Sequence, residues 1–223
     1  MAQYNRMQEN SSDEGPIHWL SVKLLAALNY IKAHQKNFIL GGVLFVIILA
    51  SLIGWSLYIQ SVSHKASILY SQAIQEKDST KKIGLFKDVV LQYPNSSSAQ
   101  LARVSLSKEN FAQKNYDQVI ADLEPVTHVG KDMAFLRILA FHNIATAYEM
   151  KGDWEKAIVY YQKAVADSQN RTQDLSRYHL ARAYENSGNK KQAREFYQGI
   201  RDDTQNQQIK DLAVKRLVLL EKK

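Results

Sequence analysis

Cysteine is missing from all 223 residues, and proline (3) and glycine (9) are scarce. The first absence excludes disulfides, thiolate metal sites, a cysteine nucleophile and lipid anchoring on cysteine. It leaves the compartment open, because a cysteine-free protein works in reducing and oxidising surroundings alike. Few prolines and glycines in a chain that is 45% hydrophobic exclude collagen-like and disordered classes. The length allows one or two domains with a sizeable core.

Catalytic motifs are missing as well. No GxGxxG, GxxxxGK[ST] or GxSxG occurs, and the histidines (18, 34, 64, 128, 142 and 179) form no HExxH or other metal spacing. His142 and His179 fall within helical patterns and are read as lining a groove or packing surface. Glu149, Asp153, Asp202 and Asp203 stand near helix ends and are read as solvated or capping carboxylates. Three glycosylation-type triplets, at Asn10, Asn95 and Asn170, are patterns that arise easily by chance. No enzyme activity, cofactor or metal is expected.

One-sided charge is also lacking. The 29 Lys+Arg and 22 Asp+Glu give +7. After His64 the counts are 25 (29 − 4) and 19 (22 − 3), interleaved as on ordinary helix faces. With no basic run among stacked aromatics, a nucleic-acid partner is not expected.

What the chain does have is a long apolar run. From Asn37 to Ser63 there are 27 positions without a charge or histidine, and 22 of them, Phe38 to Ile59, are almost wholly apolar. A bilayer core of about 30 Å needs about 20 helical residues, so this run suffices to span it. Trp55 and Tyr58 stand near one end, where amphipathic rings favour the headgroup level. A cleaved signal peptide fits less well, since the run starts late, is too long and lacks a following A-x-A-like site. A single uncleaved transmembrane helix over 37–61 is expected. Lys23, Lys32 and Lys36 before it, against Lys65 and Lys77 after it, favour a cytoplasmic N-terminus.

The remaining organisation follows. Residues 1–15 are polar and expected to be a disordered tail. Over 16–36, Ile17, Leu20, Leu24, Leu28 and Ile31 form one helical stripe beside Trp19 and Tyr30. This amphipathic juxtamembrane helix either lies on the membrane surface or a partner, or simply extends the anchor. Residues 62–223 read as helix throughout, broken at 93–96, 114–115, 129–130, 152–153, near 170 and at 188–189.

Two helix pairs superimpose with an offset of 36 (180 − 144, and again 188 − 152). The first runs Phe141, Ile144, Ala145, Tyr148, Gly152-Asp153-Trp154, Ala157, Tyr161, Ala164. The second runs Arg177, Leu180, Ala181, Tyr184, Gly188-Asn189, Ala193, Tyr197, Ile200. Spacings of three and four place each set on one face, so each pair packs antiparallel, with small alanines allowing close approach. Gly152 and Gly188 fall where a left-handed residue ends the first helix.

The doubled pattern resembles the tetratricopeptide repeat, W-x₂-L-G-x₂-Y then A-x₃-F. Pair 141–168 matches well apart from the closing proline; pair 177–204 departs at Arg177. A degenerate unit is read at about 97–127 and the second helix of another around Phe86, Val89 and Pro94, its first helix (63–75) continuing from the anchor. The expected fold is therefore all-α: a tetratricopeptide-like superhelix of helix hairpins, about three or four repeats with a C-terminal capping helix at 209–220, preceded by a transmembrane helix.

In layout, with the juxtamembrane stretch LNYIKAHQKNFILGG and an anchor ending Ile53-Gly54-Trp55, the chain resembles the ancillary Sec-translocon subunit (YfgM-like) proteins of Gram-negative inner membranes. That resemblance implies a periplasmic repeat domain, association with the Sec channel and a membrane-anchored periplasmic chaperone, and assistance to exported proteins. Resemblance to the repeat family implies a groove lined by Val104, Lys108 and Phe111, then His142, Thr146 and Glu149, then Tyr178, Arg182 and Glu185. This mixture suits an extended or helical polypeptide rather than a small metabolite, and unfolded or extended polypeptide clients are expected. Two alternatives stay open: a groove filled by the protein's own terminal helix, and an envelope scaffold that never handles folding clients.

Overall fold

The computed structural model describes residues 16–222, with side chains from residue 23 onward. The tail read as disordered (1–15) and the side chains of Ile17, Trp19 and Leu20 lie outside the described part. The chain divides into two units between Ile59 and Gln60.

In the first unit, α1 (Pro16–Ala33) and the start of α2 (Gln35–Gln75) meet at His34. Backbone bonding persists across the joint, His34 N donating to Tyr30 O and Phe38 N to His34 O, while the Tyr30 ring contacts those of His34 and Phe38. The large apolar side chains from Phe38 to Ile59 are each 42–64% exposed. By length and composition α2 is able to cross a membrane, and it runs through the 61/62 boundary without a break.

The second unit is a row of hairpins. The end of α2 pairs with α3 (Ser79–Gln92), Tyr70 and Ala73 meeting Phe86. Then α4 (Ser97–Ala112) pairs with α5 (Tyr116–Leu123), α6 (Ala134–Met150) with α7 (Trp154–Ala166), and α8 (Gln173–Asn186) with α9 (Lys190–Asp203). A last helix, α10 (Gln207–Glu221), packs on α9 and α8. There is no strand among the described residues. Helix starts are set by side chains accepting from backbone N–H groups three residues on: Asp78, Ser96, Asp153, Asn189 and Asn206. Gln92 and Ser97 flank Tyr93-Pro94-Asn95-Ser96, where proline disfavours a helical residue before it.

Three turns inside hairpins share one geometry. Asn115 N donates to Asn110 O, Asp153 N to Tyr148 O and Asn189 N to Tyr184 O, at 2.8, 2.9 and 2.9 Å. The residue before each donor is left-handed: Lys114 (φ 60°), Gly152 (φ 76°) and Gly188 (φ 86°). This is the helix-ending motif in which glycine escapes the Cβ penalty, and Lys114 adopts it without that advantage.

The core is a succession of clusters, each shared by neighbouring helices. Ala73, Phe86, Val89 and Ala102 join α2, α3 and α4; Val119, Leu123 and Ile144 join α5 to α6; Ala145, Tyr161 and Leu180 join α6, α7 and α8; Tyr197, Ile200, Ala213 and Leu217 join α9 to α10. No single hairpin hides its own apolar face, so stability comes from stacking. Where α5 stops early, 3₁₀ turns at Glu124–His128 and Lys131–Met133 carry the chain to α6. Arg137 holds this stretch, donating to Val129 O at 2.6 Å and forming a two-pronged ion pair with Asp167 at 2.6 and 3.1 Å. The pair keeps the Asp167 carboxyl below its ordinary range.

Candidate functional site

The nine residues expected to line a groove fall on the first helices of successive hairpins, in register. Position 142 follows 104 by 38 and precedes 178 by 36, and the same offsets relate 108, 146 and 182, then 111, 149 and 185. On α4, Lys108 is exposed, while Val104 and Phe111 are half-buried against the cluster around Val119 and Leu123, Phe111 also meeting Tyr116 edge-on.

The α6 and α8 residues are tied to each other. Glu149 Oε2 accepts from Arg182 Nη2 at 2.9 Å. His142 Nε2 lies 2.8 Å from the buried Ser176 hydroxyl, which also accepts from Asn170 Nδ2 at 2.8 Å. The His142 ring meets His179 edge-on at 5.3 Å, and His179 stacks on Tyr161 at 5.7 Å. The Thr146 hydroxyl bonds the Tyr161 hydroxyl at 3.2 Å. Burial pushes both imidazoles down to about 4, with Arg182 adding to the effect at His179. They are neutral packing groups at pH 7.

Glu149 departs from the solvated or capping role read from its place near a helix end. It is 7% exposed, and burial holds its carboxyl above the ordinary range although Arg182 draws it down. The reason is geometric: it points toward α8, where the next repeat covers it. Asp153 does cap α7, and Asp203 pairs with Arg177 at 3.2 Å. Arg177, which breaks the aromatic pattern, lies against Gly199, where a Cβ would come 2.8 Å from its guanidinium.

The next site in the row repeats the first. Glu185 takes a forked bond from Arg216, at 2.7 and 2.9 Å, and the Tyr197 hydroxyl donates to it at 3.0 Å. Tyr178 meets Tyr197 at 5.8 Å. Arg216 follows Arg182 by 34 (216 − 182), so α10 occupies the place of a further first helix and extends the row by Leu212, Arg216 and Leu219. Sequence reasoning missed these three because it read the last helix as a cap or as a filler of the groove; the 34-residue spacing of the two arginines was the available signal.

The row therefore offers aromatic edges, hydroxyls and partly exposed ion pairs. Glu149 Oε1, Arg182 Nε and His179 Nδ1 are buried and find no hydrogen-bond partner among the described residues. Such a surface presents hydrogen-bonding groups beside apolar edges. Among the described residues no three His, Asp, Glu or Cys side chains gather as metal ligands.

Comparison with known proteins agrees with this geometry. The family described as tetratricopeptide repeat-like domain matches residues 29–142, and that described as tetratricopeptide repeat matches 148–215. No curated protein matches the chain. Two crystal structures of a Podosopora anserina protein assigned as a kinesin light chain, with nearly identical TPR-like repeats, share its fold. One of them is of a form with a single substitution. Each has a TM-score of 0.52 and 17% identity over 74% of this chain, covering 85% of the substituted form and 86% of the other. Tetratricopeptide repeats are protein–protein interaction modules. With 114 of 223 positions (142 − 29 + 1) inside the first match alone, the chain belongs to the tetratricopeptide repeat-like family.

Proposed function

We propose that the protein is a membrane-anchored interaction module of the bacterial inner membrane, an ancillary subunit of the Sec translocon that assists exported or envelope proteins together with a periplasmic chaperone. The observation that carries this reading is one exposed apolar stretch, Phe38–Ile59, in the same chain as a row of repeat helices. In this reading 37–61 is the anchor, 16–36 the juxtamembrane helix, the N-terminus is cytoplasmic, and 62–223 is the periplasmic repeat domain. The link to the translocon rests on resemblance in layout and in the juxtamembrane stretch. Tethering raises the effective concentration of the groove beside other membrane proteins, so weak contacts with emerging polypeptides suffice.

Photocrosslinking from position 178 or 185 in native membranes tests it. Products with a translocation channel and a membrane-anchored chaperone are expected; recovery of cytoplasmic or nucleic-acid partners alone would contradict it. The alternative, an envelope scaffold without chaperone activity, predicts that Tyr178 and Arg182 substitutions lose a folded partner while unfolded clients bind as before.

A further inference from the structure

The hairpins α6–α7 and α8–α9 each hold a stacked aromatic pair in the same place. Tyr148 stacks on Tyr160 at 5.7 Å, and Tyr184 on Phe196 at 5.6 Å. In both, the first ring belongs to the residue whose carbonyl closes the turn, and the second stands seven positions after the turn's last residue (160 − 153 and 196 − 189). Applied to α4–α5, the same rule selects Asn110 and Asp122 (115 + 7).

Neither of these is a ring. Instead Asn110 Nδ2 donates to Asp122 Oδ2 at 2.8 Å and Gln118 Nε2 donates to Asp122 Oδ1 at 2.9 Å. Asp122 is 8% exposed, yet it forms no ion pair among the described residues. Two amide donors satisfy part of the carboxylate but no cation balances its charge, and a hydrophobic ring would serve packing better. A cavity of about 830 Å³ opens over the substituted pair, its lining mixed: Ile83, Val90, Leu91, Leu106 and Tyr116 are apolar or aromatic, and polar groups including Glu109, Gln113 and Asp117 complete it. It uses a different face of α4 from the groove residues 104, 108 and 111. Leu91 on its rim is 76% exposed. Lys114, the left-handed residue kept where the sister turns have glycine, also lines it.

We propose that this cavity is a second docking site, taking a tyrosine or tryptophan side chain from a partner polypeptide. The incoming ring lies beside the positions where the sister hairpins place their aromatic pair, filling part of the cavity, and its O–H or N–H donates to Asp122. The apolar part of the lining favours a ring over a small polar group. The acceptor at the floor favours a ring with a donor over phenylalanine or leucine: Asn110 and Gln118 take two of the about four lone-pair sites of Asp122, and an incoming O–H or N–H adds a charge-assisted bond at another. Lys87, Lys114 and Lys151 balance Glu109, Asp117 and Asp122 around the cavity, so no net charge draws in an arginine or lysine.

Isothermal titration of the full chain in detergent with acetylated Gly-Ser-X-Ser-Gly amides tests this. The tyrosine and tryptophan probes should bind about tenfold more tightly than the phenylalanine probe, with leucine and arginine weaker still. Asp122→Asn should remove most of the tyrosine advantage over phenylalanine. The double variant Asn110→Tyr/Asp122→Phe rebuilds the sister pair; it should raise the melting temperature and abolish binding. Equal binding of tyrosine and leucine probes, binding of none, or undiminished binding to the double variant would overturn the proposal. So would a double variant that fails to fold, since the space would then not have the shape of a ring pair.

Discussion

The α6–α7 and α8–α9 hairpins and the α4–α5 hairpin obey the same turn geometry with different chemistry. The first two use glycine at the left-handed position and stack two rings; the third uses Lys114 there and buries an Asn110–Asp122 pair. Its second helix has 8 residues against 13 and 14 in the sisters. The repeat frame is therefore held by turn hydrogen bonds and by stacking on neighbours, not by any one signature residue. Positions that the frame does not need become free for recognition.

Substitutions in the regular and altered hairpins should act unequally. The largest effect belongs to the regular ones: Tyr197→Ala or Tyr161→Ala, each removing a ring no more than 1% exposed, should cost about 3–5 kcal/mol in thermal or urea unfolding. Arg182→Ala comes next, at about 3 kcal/mol, because it strands the buried Glu149. Pairing Arg182→Met with Glu149→Gln should recover most of that loss, and a double-mutant cycle reads the coupling. In the altered hairpin, Asn110→Ala should cost only about 1–2 kcal/mol, the scale of leaving one partner unsatisfied.

The acid response also separates the two kinds of hairpin, because both buried imidazoles sit in the regular ones. His142 and His179 titrate at about 4 when folded, against 6.5 ordinarily. Protonation thus favours the unfolded chain as pH falls through that window, and no stability is lost above it. Glu149, whose folded carboxyl takes up its proton earlier than usual, offsets part of this at the acid end. Melting temperatures from pH 7 to 4 should fall in the parent protein and less in His142→Asn/His179→Asn. The smallest effects concern the turns: Gly152→Ala should destabilise by about 1 kcal/mol, and Lys114→Gly should stabilise by about 0.5–1 kcal/mol.

The helix breaks were legible because proline, glycine and asparagine punctuate them, and the doubled pattern at 141–164 and 177–200 fixed two hairpins with their packed alanines and tyrosines. The 3₁₀ passage after Leu123 was not legible, since Glu124-Pro125-Val126 continues an apolar spacing while α5 has already ended. The register of the groove positions was readable from the offsets, but their surroundings were not. Nothing local to Glu149 or His142 announces that the following repeat, more than 30 residues on, will bury them. Asn110 and Asp122 were likewise silent, because their meaning lies in what the sister hairpins place at the same positions.

A tethered recognition row can be tested by flotation of the full chain reconstituted in vesicles, with a permanently unfolded, carboxymethylated polypeptide as client. The protein should float with the lipid and carry the client. A variant combining Tyr178→Ala, Glu149→Gln and Arg182→Met should float but leave most of the client behind. A chain that stays below the vesicles, or a variant that carries the client undiminished, would contradict the anchor or the groove respectively.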